Sequence, residues 1–543
     1  MALDCAAVLQ PLTRHINTRD LLQLARGFSD TYRDLAQQST QHFLATPVTA
    51  LPTGRETGTF LAIDVGGTNL RVGFVKLLGE AGEQNDDSNS TSRHHVPDRP
   101  AKIHRCHERA WPIEEHLKMD QADDLFIWIG DCIAAVVREA LDDATLRIKD
   151  LDAIPLGITF SFPMKQDAIS QATLMPMGKG FAITSDLNLG KMLLAGYARH
   201  CANGFISPQK ATPTLPKLRI AAITNDTVAT YASLAYSIKV SSNSRVVMGL
   251  VVGTGTNATV PMTVDSLGSF KTQFLDLPTE TSPQDAKIVV NTEWSVCGTD
   301  IPLKQLQVPT IWDAELDRAC DAPGFQPVEY MTAGRYLGEL VRLVLVQLLP
   351  EQCGCGTKDD LPPTLMRRNS LSTKFLATVV ALADDAELKR SLEELYPPRS
   401  ASGGSFAWTK ERMGLLRAAA AAVQVRSAAL VAAMIVGLLA RVGEVYLDGD
   451  DDAEDTEADA NAASSSSPGA PTTGEAEEQL IVAHTGGVIL QYPGYLEDCE
   501  KWIDTLLAAG SRKNSSKRVV LGEAKDGGVI GAAVLAGMFA EAR

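Results

Sequence analysis

Leu61–Val75, LAIDVGGTNLRVGFV, reads as an apolar strand, a Gly-Gly turn and a second apolar strand, with one carboxylate, Asp64, just before the turn. An ionised Asp inside an apolar layer is costly unless it is paired or bound to a metal, so its position asks for a reason. The turn supplies one. Gly66 and Gly67 permit the positive φ values of a tight hairpin and leave backbone N–H groups uncovered, which together form a concavity of anion size. Asp64 is then placed to hold a Mg²⁺ ion that rides on phosphate. Taken alone, the same residues also describe a plain hairpin.

A second copy shifts that balance. From Val247 to Thr259 the chain reads VMGLVVGTGTNAT, again an apolar strand entering a Gly/Thr turn, here through Gly253 and Thr254, and leaving through Asn257. Two phosphate-type turns far apart in the chain suggest two similar lobes, each binding half of one nucleotide. A dinucleotide fold needs a Gly-x-Gly-x-x-Gly turn opening a helix, and a P-loop ends in Gly-Lys-Ser/Thr; here a strand follows the turn both times. The expected fold is α/β, an actin-like ATPase (ribonuclease H-like) fold of two lobes with a cleft between them. Residues 1–218 are expected to form the small lobe and its N-terminal helix. Residues 219–543 are expected to form the large lobe, interrupted by a disordered acidic insertion at 448–478.

Composition sets the remaining bounds. At 543 residues, 45% hydrophobic and 21% charged, the chain is long enough for two substantial cores. The most apolar run, SAALVAAMIVGLLA between Arg426 and Arg441, is short for a membrane span and suits a buried helix. MALDCAAVLQP has no basic region ahead of its apolar residues, so a cytoplasmic location is expected. The nine cysteines contain no Cys-x-x-Cys pair and read as reduced thiols. A net charge of −16 argues against a nucleic-acid partner, although eleven acidic and no basic residues between Asp448 and Glu478 leave only about −5 for the remainder. The oligomeric state cannot be read.

Along the chain, LLQLARGFSDTYRDLAQQ reads as an amphipathic helix ended by Pro52 and Gly54, and 80–100 as a polar loop. His104 and His107 flank Cys106 without a carboxylate neighbour and read as surface residues. Leu125, Ile129, Ile133 and Val137 predict a helix from about Gln121 to Leu146. IPLGITFSFPMKQ predicts a strand, and the loop after it carries Lys179 between two glycines, either a ligand contact or a solvated lysine. IAAITNDTVATY delivers Asn225 and Asp226 at the end of an apolar strand, where α/β proteins place ligand-binding groups. Asp226 is the candidate general base for a sugar hydroxyl, with an Asx turn or helix N-cap as the alternative. Glu293 follows another strand, and Glu329 is expected to open a long helix; together these side chains make a polyol-binding set. QLIVAHTGGVILQYPG predicts strand, turn and strand. AKDGGVIGAAVLAGMFA predicts a Gly turn, with Gly527 and Gly528, facing a nucleotide through the N-terminus of an Ala-rich helix.

Assembled, LAIDVGGTNLRV, LGITFSFPMKQ, GKGF, ITNDT, GLVVGTGTNA, NTEW and the run from Pro323 to Glu329 resemble the hexokinase family over nearly the whole chain. The resemblance implies closure over sugar and MgATP, with ATP and Mg²⁺ as cofactors and transfer of the γ-phosphoryl group to the 6-hydroxyl. It makes Asp226 the catalytic base and Asn225, Asn257, Glu293 and Glu329 the large-lobe sugar ligands. Ser161, Phe162 and Lys179 take the small-lobe side of the sugar, with Lys179 counted beside Asp226 as catalytic. Asp64, Gly66, Gly67, Thr68, Asn69 and Arg71 form the first phosphate loop, Gly253 and Thr254 the second, and Arg335 a basic nucleotide contact. Met177-Gly178-Lys179-Gly180-Phe181 departs from the usual Trp-Thr-Lys-Gly-Phe. The turns of the adenosine region, usually Asp-Gly-Ser, are Thr485-Gly486-Gly487 and Asp526-Gly527-Gly528 followed by Val529. These departures, with FQPVEYMTAGRYLGEL and VIGAA, are similar to the fungal hexokinase-like N-acetylglucosamine kinases. The implied substrate is N-acetylglucosamine, with glucose or fructose, or a sugar-sensing regulator of little turnover, as alternatives.

Overall fold

Strand alternation gives way to fully buried runs wherever the chain enters the middle of a sheet. In this computed structural model the described residues are 4–79, 102–114, 116–117, 122–175, 187–201, 215–238, 243–275, 282, 284–354, 357–397, 406–448 and 477–540. Lys179 and its neighbours, the polar stretch 80–100 and most of the expected insertion lie outside them. Asp448 and Glu477–Glu478, at the two ends of that insertion, are described, and Glu478 already begins a strand.

The strands are β1 (Leu44–Ala45), β2 (Thr57–Val65), β3 (Asn69–Leu78), β4 (Ile103–Pro112), β5 (Ala153–Phe160), β6 (Met164–Ala168), β7 (Gln171–Leu174), β8 (Lys217–Thr224), β9 (Ser244–Val252), β10 (Thr256–Thr263), β11 (Lys287–Asn291), β12 (Glu478–Thr485) and β13 (Lys517–Glu523). One sheet has the order β4-β3-β2-β5-β8 and the other β1-β11-β10-β9-β12-β13. In the first, β2, β3 and β4 form an antiparallel meander and β5 and β8 add parallel strands. In the second, β9, β10 and β11 form the meander and β12 and β13 the parallel additions. The same five-strand plan is thus used twice, which is why the two Gly turns match: each joins the first two strands of its meander.

Two helices lie between these sheets. The helix α1 (Asp226–Ser237) follows β8 and packs on β9, and α2 (Gly527–Ala540) follows β13 and packs on β2, β5 and β8. Each therefore leaves its own sheet for the other, and the two pack on each other. Small residues allow it: a Cβ at Gly531 would lie 2.0 Å from the Ala229 carbonyl oxygen, and one at Gly157 would lie 2.2 Å from that of Ala532. The expected boundary at 218/219 falls inside β8, a strand of the first sheet. The N-terminal segment contributes β1 to the second sheet, and the C-terminal helix covers the first.

The apolar run at 427–440 lies in a helix of 32 residues, Lys410–Arg441, packed between the helices Thr18–Gln38 and Tyr495–Gly510. It is long and apolar enough to cross a membrane, yet 89% of its most apolar window is buried inside the protein. Arg426 on this helix forms a bidentate pair with Asp313 at 2.7 and 2.9 Å, which keeps the one charge of its central turns satisfied. The expected helix at 121–146 is described over Ala122–Ala140; beyond it, Asp143 accepts from the Thr145 N–H at 2.8 Å, an Asx turn that ends the helical run. QLIVAHTGGVILQ is a strand followed by a helix, Gly487–Gln491, not a second strand. β12 is parallel to both its neighbours, so the chain must leave the sheet at its end, and Gly486 at φ 120° makes that exit.

Candidate active site

Between the sheets the edges of both Gly turns and the start of α1 line one cleft of about 230 Å³. At the first turn the Gly66 N–H donates to the Asn69 carbonyl at 2.9 Å; at the second the Gly253 N–H donates to the Gly255 carbonyl at 2.9 Å. Asp64, Gly66, Gly67, Thr68, Asn69 and Arg71 come from the first, Gly253 and Thr254 from the second, and Gly527 and Gly528 from the N-terminal turn of α2. Ser161, Asn225, Asp226, Asn257, Glu293 and Glu329 line the same cleft.

The local chemistry explains each placement. Asn225 is the N-cap of α1: its Oδ1 accepts from the Thr227 N–H at 2.9 Å and the Thr227 hydroxyl at 2.7 Å, which turns Asp226 into the first helical position. The Asx-cap reading and the ligand reading of this pair therefore coexist, cap on Asn225 and carboxylate on Asp226. Glu329 opens a one-turn helix, Glu329–Thr332, separate from the long helix Gly334–Gln352 that had been expected to begin there. Its Oε1 accepts from the Thr256 N–H at 3.2 Å and the Ser295 hydroxyl at 3.4 Å. Glu293 sits at φ 47°, a left-handed conformation that costs a non-glycine residue about 1–3 kcal/mol and marks a position held by its surroundings.

The Asp64 carboxyl is pushed up to about 7, first by burial and then by the Asp226 carboxylate; Arg71 opposes the rise and Asp526 adds to it. A Cβ on Gly528 would lie 2.4 Å from Asp64 Oδ2, so the bare helix start is what leaves room for that carboxylate. A carboxyl held between other carboxylates fits a divalent cation, which would remove the repulsion. No group of three or more His, Cys, Asp or Glu side chains able to hold a metal occurs among the described residues. Mg²⁺ characteristically binds through one or two carboxylates together with substrate phosphates.

Two expected site residues are elsewhere. Phe162 is 1% exposed, its ring 4.7 Å from that of Phe160 in the small-lobe core: the chain leaves β5 after Phe160 through a tight turn, the Phe162 N–H donating to the Phe160 carbonyl at 2.8 Å, with Ser161 in the cleft lining and Phe162 in the core. Arg335 is absent from the cleft lining: its guanidinium pairs with Asp321 at 3.0 Å, while its backbone N–H donates to the Thr254 carbonyl at 3.2 Å. Lys179 lies outside the described residues. Sequence reasoning passed over Thr230, Ser295 and Gln326, all in the lining. Thr230 is one helical turn after Asp226, a spacing that would have found it; Ser295 directly follows the quoted NTEW, and Gln326 lies inside the quoted run from Pro323 to Glu329.

Two family models, each described as Hexokinase, match residues 9–236 and 247–538, the second more than half of the chain. A hexokinase of Schistosoma mansoni is 32% identical over 338 residues, 61% of this chain and 61% of that protein. A hexokinase of Emericella nidulans is 30% identical over 359 residues, 65% of this chain and 62% of that protein. The matched segments thus span somewhat less than two thirds of these two relatives, while that of Hexokinase-9 of Oryza sativa subsp. japonica, 27% identical, covers 92% of this chain and 82% of the relative. The solved structure of the Schistosoma mansoni hexokinase complexed with glucose superposes with a TM-score of 0.71 at 25% identity, covering 98% of both chains.

Proposed function

This chain belongs to the hexokinase family, and from that premise we propose that it is a phosphotransferase with an alcohol acceptor, an ATP-dependent kinase for the 6-hydroxyl of a hexose. The observation that carries the reading is the shared cleft: two phosphate-type turns from separate sheets and the Asp226 carboxylate line one cavity. Asn257, Glu293 and Glu329 supply acceptors and donors for sugar hydroxyls, and the two turns supply backbone N–H groups for phosphates. Asp64 and substrate phosphates would hold Mg²⁺, which when bound offsets the charge on the transferring phosphoryl group. Asp226 accepts the proton of the 6-hydroxyl as that oxygen bonds to the γ-phosphorus, and the bond from the γ-phosphorus to the bridging oxygen breaks to leave ADP.

For the sugar, glucose is supported by the glucose-bound relative of the same fold. N-acetylglucosamine is supported by the sequence departure at Met177-Gly178, smaller residues than the usual Trp-Thr of glucose-phosphorylating members; a methylene-sized difference in a sugar pocket shifts selectivity by about 1–3 kcal/mol. Phosphorylation rates of the two sugars by the purified protein decide between them. Turnover of the amino sugar well above that of glucose supports the second reading, and the reverse rejects it. Sugar-dependent release of ADP in either case excludes a sugar-binding regulator without turnover. The eight described cysteines are all free thiols, which supports a reducing, cytoplasmic setting.

A further inference from the structure

Asn291 has no place in the reading so far, and it does not line the cleft. It is the last residue of β11, held from both sides in the sheet by pairing with Thr259 of β10 and Leu44 of β1, and it is 2% exposed. Its side chain is spent on two residues that do line the cleft. Asn291 Oδ1 accepts from Asn257 Nδ2 at 2.8 Å, and Asn291 Nδ2 donates to Glu293 Oε1 at 2.8 Å.

Both partners need such a brace. The Asn257 amide is fixed at its other end, where Oδ1 accepts from the Ala258 N–H at 2.8 Å, which turns its Nδ2 toward Asn291 and, at 3.4 Å, toward Glu293. Glu293 stands two residues beyond Asn291, past a backbone that has left the strand for φ 47°. A side chain on so irregular a segment is aimed by its hydrogen bonds more than by its rotamer. A buried donor from a sheet residue is the firmest anchor on hand, because the strand on either side of it cannot shift without breaking ladder pairs.

We infer that Asn291 is a positioning residue for sugar recognition: it locks the Asn257 amide and the Glu293 carboxylate into one rigid hydroxyl-binding pair without touching the substrate. The inference rests on the hexokinase-type reading of the cleft and adds to it a residue outside the ligand set. It also predicts a one-sided effect, since neither Asn257 nor Glu293 belongs to the turns assigned to phosphate.

The test uses the full chain and whichever of glucose and N-acetylglucosamine the unaltered enzyme phosphorylates, so a wrong functional reading shows in the parent and a wrong role for Asn291 only in the variants. Asn291→Asp is isosteric and replaces the donor facing Glu293 with an acceptor. It is expected to raise the sugar KM at least tenfold while the MgATP KM stays within twofold. In an enzyme already carrying Glu293→Gln, which supplies a donor to Asp at 291, the further cost of Asn291→Asp is expected to fall below threefold. Asn291→Ser, a shorter side chain without added charge, is expected to raise the sugar KM at least fivefold. A sugar KM within twofold of the parent in both single variants overturns the inference, as does an equal rise in the MgATP KM. So does a cost of Asn291→Asp that is unchanged in the Glu293→Gln background, which would mark a merely structural role.

Discussion

The two Gly turns are built alike and charged differently. Both join the first strands of an antiparallel meander, and both close with a short N–H to carbonyl bond of 2.9 Å. The first is preceded by Asp64 and followed by Arg71, whose guanidinium reaches Asp526 at 3.2 Å. The second is preceded by Val251 and Val252 and followed by Thr256 and Asn257, with no charge of its own. Its bracing is backbone to backbone: the Gly334 N–H donates to the Gly253 carbonyl at 2.7 Å, and Gly486 packs against Val252 and Gly253. One turn therefore handles charge and the other shape, so the same kind of substitution should fail in different ways on the two sides.

The largest effect is expected between the turns. Asp226→Asn removes the proton acceptor and should lower kcat by roughly 10²–10⁴-fold, with sugar affinity from calorimetry changed far less. On the charged side, Asp64→Asn should cost about 10²-fold or more in kcat and alter the pH dependence of stability. Because the native Asp64 carboxyl sits at about 7, well above the ordinary value of 3.8, the folded state holds its proton more tightly than the unfolded chain does. Its contribution to stability is full below about pH 4 and is lost as pH rises toward 7. The ligand-free parent should therefore lose Tm over that window relative to Asp64→Asn, and Mg²⁺ binding should strengthen as pH rises to 7 and then level off. Parallel Tm profiles for the two proteins would contradict this.

On the shape side, Gly486→Ala places a methyl group 2.4 Å from the Val252 carbonyl oxygen at φ 120°. It should destabilise by on the order of 2 kcal/mol or more and weaken MgATP binding, with the sugar KM unmoved; a normal MgATP KM would show that the second turn does not face nucleotide. The smallest effect is expected at Arg335. Its side chain is engaged by Asp321 near the surface, so Arg335→Ala should raise the MgATP KM only a few-fold. A loss comparable to that of Asp64→Asn would restore it to the nucleotide site.

The two phosphate-type strand–turn–strand patterns and the buried helix were legible in the sequence because they depend on local periodicity, although neither Gly66 nor Gly67 takes the positive φ expected of it. Asn225, Asp226 and Glu293 were legible beside strand ends and Glu329 at a helix start, and all four line the cleft; Ser161, also in the lining, came from family resemblance. What the sequence concealed is set by distant packing. Phe162 and Ser161 differ by one step along the chain, and only the position of the sheet decides which one faces the cleft. The exit after β12 is a helix because both neighbouring strands run parallel to it, a fact absent from QLIVAHTGGVILQ itself. Arg335 was placed by family resemblance, and its partner Asp321 was invisible without the fold. The crossing of α1 and α2, each onto the opposite sheet, could not be seen from either helix alone, although Gly531 and Ala229 make it possible.

The account stands on both turns and Asp226 serving one reaction in one cleft. Sugar-dependent ADP release, measured for the parent, Asp226→Asn and Asp64→Asn with hexose binding followed in parallel, tests it most directly. The account predicts that the parent forms hexose 6-phosphate and ADP in equal amounts, and that both variants still bind the sugar while losing turnover. A parent that releases no ADP on addition of any hexose, or an Asp226→Asn variant that turns over at the parental rate, would contradict it.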